Sequence, residues 1–462
     1  MSDLNPAIFR EYDIRGVAER DFDAGFARRL GHAYARYRAG VAPAPAVAGR
    51  YRIGVGADCR LSSPGYSAAL RAGLREAGID VVDLGVCPTP LAYFALFELE
   101  LDGAVQVTGS HNPADQNGFK ICIGKTTVHG DQIQDLKRCF DQPFMRARQG
   151  TEERCDIVPR YQAYLAQALV KLPRPLRIVV DAGNATAGPV APAIFRAMGC
   201  EVIELYCDMD GRFPNHHPDP TVEENLADLK ALVSSSRADL GIAFDGDSDR
   251  LGVVSRAGRV IWGDELMVLF ARDVLSRLPG ATVVAEVKCS QRLFDDIQAH
   301  GGNPVMWKAG HSPIKAKMKE TGAALGGEMS GHIFFADRYF GYDDGIYAAG
   351  RVLEILGRSE LDIEQLLADL PPSYSTPEIR IDCPDALKFT VAERALAHFQ
   401  SRFPVVTVDG VRVQLPHGWG LIRASNTQPA IVLRLEADSP EHLSEYRSWF
   451  ERLLVDFRGD GD

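Results

Sequence analysis

The chain has 462 residues, 46% hydrophobic and 24% charged, with a formal net charge of −11. That length fits three or four globular domains, and the acidic balance excludes a broad nucleic-acid surface while leaving room for a local basic cluster around a small anion. No apolar run approaches the roughly 18 residues of a membrane span, and the opening MSDLNPAIFREYDIRG lacks the apolar stretch of a secretory leader. The nine cysteines are scattered without a C-x-x-C pair, which fits a reducing cytoplasm better than a disulfide framework or zinc cage.

Taken in chain order, YRIGVGADCRLSSPGYSAALRAGLREAGIDVVDLG predicts a strand around 53–56 and a second around 81–84. Between them a helical period runs through Tyr66, Leu70, Leu74 and Ala77. LRIVVDAGNATAGPVAPAIFRAMGCEVIELY repeats the strand, turn, helix, strand pattern, and ATVVAEVKCSQRLFDDIQAHGGNPVMWKAG repeats it again. Alternation of this kind indicates βαβ units and largely parallel sheets. The Pro-rich segment 371–377 reads as a linker. Beyond it come a helix over 386–403, several short strands and a helix over 440–457. The expectation is three similar mixed α/β domains, over 1–153, 154–257 and 258–370, and a distinct α+β domain over 371–462.

Four loops carry candidate chemistry. In VQVTGSHNPADQNGFKICI, Gly109, Asn112 and Pro113 force a turn that should leave Ser110 exposed after a short strand. A serine there can carry a phosphoryl group, with His111 and Lys120 as neighbouring donors. Gly124-Lys125-Thr126 is not a nucleotide P-loop, because Phe119 stands where the first glycine is needed. In ADLGIAFDGDSDRLGVVS, Asp245, Asp247 and Asp249 alternate between two apolar strands, and such carboxylates repel one another unless a hard cation joins them. An EF-hand is excluded by Arg250 and Arg256 at its glycine and glutamate positions. GGEMSGHIFF offers Glu328, Ser330 and His332 to sugar hydroxyls, and WKAGHSPIK adds Lys308, Gly310 and His311. RASNTQP brings Arg423, Ser425, Asn426 and Thr427, a set suited to clamping a phosphate.

In this order, FREYDIRG, TGSHNP, DGDSDR, GEMSGH and RASNTQP resemble the α-D-phosphohexomutase family over nearly the whole chain, nearest its bacterial phosphomannomutase/phosphoglucomutase branch. The resemblance implies four domains around a central cleft, each giving one loop. It implies an isomerase that interconverts hexose 1-phosphate and hexose 6-phosphate through phosphoserine at Ser110, with glucose 1,6-bisphosphate as intermediate and activator. One Mg²⁺ per chain would be held by the Ser110 phosphoryl group, Asp245, Asp247 and Asp249. Arg250, Lys120, His111, Tyr12 and Arg15 would surround the transferring group. The general acid/base would be one of Lys120, His111, Arg15 and His332, with Lys120 the first choice. Glu328 and Ser330 would hold sugar hydroxyls, Lys288, His311 and His332 would line the sugar side, and Arg423, Ser425, Asn426 and Thr427 would grip the distal phosphate. A cytoplasmic monomer with a phosphosugar substrate and neither nucleic-acid nor membrane partners is expected. The alternatives are a phosphoglucosamine mutase, whose relatives tend to carry glutamine where Met329 stands, and a non-catalytic hexose-phosphate-binding protein.

Overall fold

The computed structural model describes residues 5–41, 50–141, 144, 146, 148–425 and 429–458. By packing, 1–270 with 330–366 form one unit and 271–329 with 367–462 a second. No described helix is long and apolar enough to cross a membrane.

The first unit holds two sheets. One runs, in spatial order, Ile14–Val17, Gln116–Ile123, Gly103–Val107, Arg52–Ala57, Asp80–Val86, Glu152–Arg154. The predicted βαβ unit is its middle: Arg52–Ala57 pairs in parallel with both Asp80–Val86 and Gly103–Val107. The intervening helix Ser63–Glu76 buries Tyr66, Leu70 and Leu74, the stripe its 3.6-residue period requires. Its outer part differs from the expectation of largely parallel pairing. Gln116–Ile123 runs antiparallel to both Gly103–Val107 and Ile14–Val17. The serine loop is thus a hairpin connection, too short for a crossover.

The second sheet runs Val260–Ile261, Leu251–Ser255, Leu240–Phe244, Arg177–Asp181, Glu201–Leu205. Parallel pairing joins the last three, while Leu240–Phe244 and Leu251–Ser255 are antiparallel and carry the aspartate loop at their turn. Every residue of these two strands is buried, so the loop between them is anchored at both ends.

In the second unit, Thr282–Glu286 pairs in parallel with Asn303–Trp307 and Leu325–Gly327, the third predicted repeat. The C-terminal sheet is antiparallel, with Ala430–Ala437 and Gly418–Ala424 at its centre. Helices Asp385–Phe399 and Pro440–Arg458 pack on it through Phe399 and Phe450, whose rings stack at 5.2 Å. Two expectations are corrected here. The segment 371–377 is not a free linker: Tyr374–Ser375 pairs with Ala430–Ala437, and buried Thr376 accepts a bond from Leu435 N at 3.1 Å and donates its own N–H to Leu435 O. Proline density hid a short strand. The predicted helix to 403 ends at Phe399, and 400–403 continue as a turn in which Phe403 N donates to Phe399 O at 3.0 Å.

Candidate active site

The serine loop departs from its expected exposure. Ser110 is 1% exposed and sits at φ +50°, a left-handed conformation that few non-glycine residues adopt. Arg60 explains how it is held there. Its guanidinium is buried, bonded to Asp58 at 3.0 Å, and donates to the carbonyls of Ser110 (2.7 Å), Asn112 (2.6 Å) and Gln116 (3.0 Å). Asp58 also accepts from Gly109 N and Thr108 Oγ1. A loop whose carbonyls all face one planar fork folds inward rather than toward solvent. A Cβ on Gly109 would lie 2.5 Å from Arg60 Nε, so this packing requires the glycine.

Turned inward, Ser110 Oγ donates to Asp245 Oδ2 at 2.9 Å and lies 3.2 Å from His111 Nδ1. The aspartate loop approaches closely: a Cβ on Gly246 would stand 2.4 Å from Ser110 O. Asp245, Asp247 and Asp249 are all fully buried, with ligand oxygens within 4.8 Å of one another. Lys120, on Gln116–Ile123, reaches Asp247 at 2.7 Å and also contacts Asp249. Thr89 Oγ1 donates to Asp247 as well. Burial alone would lower the Lys120 pKa, but Asp247 and Asp249 outweigh it and raise it. Burial likewise pushes Asp245 and Asp249 up, reinforced by the neighbouring carboxylates, whereas at Asp247 the Lys120 charge prevails and lowers it. Burial, with Arg250 and Arg15 nearby, holds His111 below its ordinary value.

Arg15 bonds Asp13 at 2.7 Å, Gly109 O at 2.9 Å and Asn112 Oδ1 at 3.2 Å, which ties Ile14–Val17 to the serine loop. Arg250 Nε donates to His332 Nε2 at 3.0 Å, and His332 Nδ1 lies 3.2 Å from Asp343 Oδ2 and 3.5 Å from Asp249 Oδ1. Nine residues singled out in the sequence thus converge: Ser110, His111, Lys120, Arg15, Arg250, His332 and the three aspartates. Asp247 Oδ1 and Asp249 Oδ1 are buried without a hydrogen-bond partner among the described residues. Orphaned hard oxygens in a ring of carboxylates fit a divalent cation.

A second cluster forms in the other packed unit. Glu328 Oε1 accepts from Gly310 N at 2.6 Å. Lys288 Nζ lies 3.1 Å from Glu378 and 3.4 Å from Glu286, and Glu286 accepts from Met329 N at 2.8 Å. Burial pushes Glu286 up to about 7, helped by Glu328, with Lys288 opposing. Arg423 Nη2 lies 3.1 Å from Asp409 Oδ2, which also accepts from Ala309 N at 3.1 Å, so one carboxylate joins the RASNTQP loop to the WKAGHSPIK loop. Ser425 is buried, its carbonyl bonded to Lys388 Nζ at 2.7 Å. His311 is the buried first residue of helix His311–Thr321. Lys308 is exposed, and Tyr12 and Ser330 are partly so. Asn426 and Thr427 lie outside the described residues.

Sequence reasoning missed Asp58, Arg60, Asp343, Glu286 and Asp409. Each is remote in sequence from the loop it holds. Only Asp58 and Arg60 left a trace, as charged residues just after the apolar run 53–57 of their strand.

Two buried loops bring together a hydroxyl and three carboxylates able to hold a divalent cation, groups of the kind that phosphoryl-transfer sites use. Family models for phosphoglucomutase/phosphomannomutase match in chain order: alpha/beta/alpha domain I over 6–144, domain II over 159–258, domain III over 262–374 and the C-terminal domain over 378–452. The chain belongs to this family and has its four domains. It is 47% identical to a phosphomannomutase/phosphoglucomutase of Pseudomonas aeruginosa over 98% of this chain and 96% of that one. It is 43% identical to a phosphoglucomutase of Neisseria gonorrhoeae, covering 98% of each. A phosphoglucomutase/phosphomannomutase family protein of Burkholderia thailandensis superposes with a TM-score of 0.90 at 45% identity, covering 98% of this chain and 97% of that one.

Proposed function

We propose that this chain interconverts the 1-phosphates and 6-phosphates of glucose and mannose through phosphoserine at Ser110 and a hexose 1,6-bisphosphate. As a family member it is an intramolecular phosphotransferase acting on hexose phosphates. The observation that carries the assignment of roles is Ser110 Oγ bonded at 2.9 Å to a buried aspartate triad.

Asp245, Asp247 and Asp249, with the Ser110 phosphoryl oxygens, would hold one Mg²⁺. Mg²⁺ bound there supplies neutralisation of charge on the transferring phosphoryl group. Arg15, Lys120 and Arg250 line the same loops and supply further positive charge, fixed by their own partners before substrate arrives. Ser110 Oγ hydrogen-bonds Asp245 at 2.9 Å, with His111 Nδ1 next nearest at 3.2 Å; Lys120 is the choice of general acid/base, its ammonium giving a proton to the leaving oxygen and, as the amine so formed, taking the proton of the attacking hydroxyl. In the first transfer the bond from phosphorus to Ser110 Oγ breaks as the sugar hydroxyl oxygen takes the phosphoryl group. In the second, the other phosphoryl group of the bisphosphate returns to Ser110 and leaves a hydroxyl behind. Glu328 would accept from sugar hydroxyls, and Arg423 and Ser425 would bind the phosphate that is not reacting.

The test pairs intact-mass measurement with turnover on glucose 1-phosphate and mannose 1-phosphate. A phosphorylated fraction should be present in the wild type and absent in Ser110→Ala, with turnover of both sugars reduced by several orders of magnitude. A Ser110→Ala variant turning over at near wild-type rate would remove Ser110 as obligatory carrier.

A further inference from the structure

The C-terminal domain carries a further group of side chains of metal-ligating type. His417 stands in the tight turn between Val411–Leu415 and Gly418–Ala424. Asp438 follows the central strand Ala430–Ala437, and His442 lies in the first turn of helix Pro440–Arg458. His417 Nδ1 is 3.0 Å from Asp438 Oδ2, and His442 Nδ1 is 2.6 Å from Asp438 Oδ1. The two imidazoles stack with centroids 3.9 Å apart and planes 12° from parallel. One ligand atom from each of the three residues lies within 4.8 Å of the others.

The arrangement is built on rigid backbone. Asp438 N donates to His417 O at 3.0 Å, His417 N donates to Tyr446 Oη at 3.1 Å, and His442 N donates to Ser439 Oγ at 3.1 Å. Turn, strand end and helix start are therefore fixed relative to one another before any ligand arrives. The side chains are between a third and about half exposed, open to an ion from solvent.

We propose that His417, Asp438 and His442 form a binding site for a borderline-soft divalent cation such as Zn²⁺, separate from the aspartate triad. Two imidazole nitrogens and one carboxylate oxygen are the donor set that selects Zn²⁺ over Mg²⁺, which prefers an all-oxygen shell. Tetrahedral bonds of about 2.0–2.2 Å bring ligand atoms roughly 3.3–3.5 Å apart, so on binding the present contacts would open and the two stacked imidazoles would turn out of their parallel arrangement until each ring plane points at the ion. Water would take the fourth position. The ion would replace shared protons between the rings and the carboxylate and so clip the turn to the helix.

The experiment uses the full chain, stripped with chelator and then kept in excess Mg²⁺ so that the hard oxygen site is filled. Zn²⁺ binding is measured by equilibrium dialysis for the wild type and for a His417→Gln/His442→Gln variant. The wild type should bind one more Zn²⁺ per chain than the variant, with micromolar dissociation, and only the wild type should melt several degrees higher when Zn²⁺ is added. Mutase turnover in Mg²⁺ should be the same for both. Equal Zn²⁺ stoichiometry and affinity in the two proteins would overturn the site. Should the variant not fold, Co²⁺ replaces Zn²⁺ on the wild type alone: an intense visible band of four-coordinate Co²⁺ supports the site, and its absence at saturating Co²⁺ overturns it.

Discussion

Asp343 shows how a residue that bears no motif shapes this chemistry. It is fully buried, 3.2 Å from His332 Nδ1, while His332 Nε2 accepts from Arg250 Nε. The carboxylate thus lies against the Nδ1 side of the imidazole as a charge, and the imidazole's Nε2 receives the Arg250 guanidinium. Asp343→Asn keeps the volume and removes the charge. Loss of such an outer partner typically costs about 10–100-fold in activity. The expected result is a fall of that size in kcat with little change in KM, since Arg250 is needed in the transferring state. A change in KM alone would show that Asp343 does not act through Arg250. The candidate site was legible in the sequence for the residues of the serine and aspartate loops, because TGSHNP and DGDSDR are contiguous and rich in functional groups. Asp343, Glu286 and Asp409 were not, because a single carboxylate remote in sequence from its partner leaves no pattern until the chain is folded.

The serine loop depends on the strand end that carries Asp58 and Arg60. The βαβ alternation made that strand and the following helix predictable, since a buried parallel strand and an amphipathic helix each impose a period on the chain. The periodicity said nothing of the inward fold of Ser110, which comes from Arg60 gathering carbonyls at 2.6–3.0 Å. The short strand Tyr374–Ser375 was equally illegible, being two residues long among prolines. Arg60→Lys tests the loop directly. Lysine keeps the charge beside Asp58 but presents a point donor instead of a planar fork, so several loop carbonyls lose their partner. Each buried group left unpaired costs about 1–3 kcal/mol. The variant should lower the melting temperature and reduce the phosphorylated fraction of Ser110, even though residue 60 does not bond the hydroxyl itself. An unchanged phosphorylated fraction would mean that the loop holds its shape without the guanidinium.

Domain order along the chain does not coincide with how the chain packs: 330–366 joins 1–270 in one unit. Asp344 is one of the bonds that make this so. It caps helix Gly345–Gly357 through Tyr347 N at 2.9 Å and accepts from Tyr161 of helix Ile157–Ala168 and from Tyr339, both at 2.8 Å. Burial pushes its pKa up to about 6, the three hydrogen bonds opposing. The sign of the consequence follows from linkage. With the folded value above the unfolded one, the native state holds the proton more tightly between about pH 4 and 6. Asp344 therefore contributes stability in full below about pH 4 and loses it as pH rises through 6, an effect on the order of 3 kcal/mol. Asp344→Asn cannot titrate. Its stability in urea should be lower at acid pH, where the wild type has its full contribution, and should fall less steeply than the wild type's between pH 4 and 6.5. The readout is the difference between the two slopes, in which all other titrating groups cancel. Parallel slopes would mean that the carboxyl is ionised in the folded protein throughout, with the tyrosine hydroxyls compensating fully for its burial.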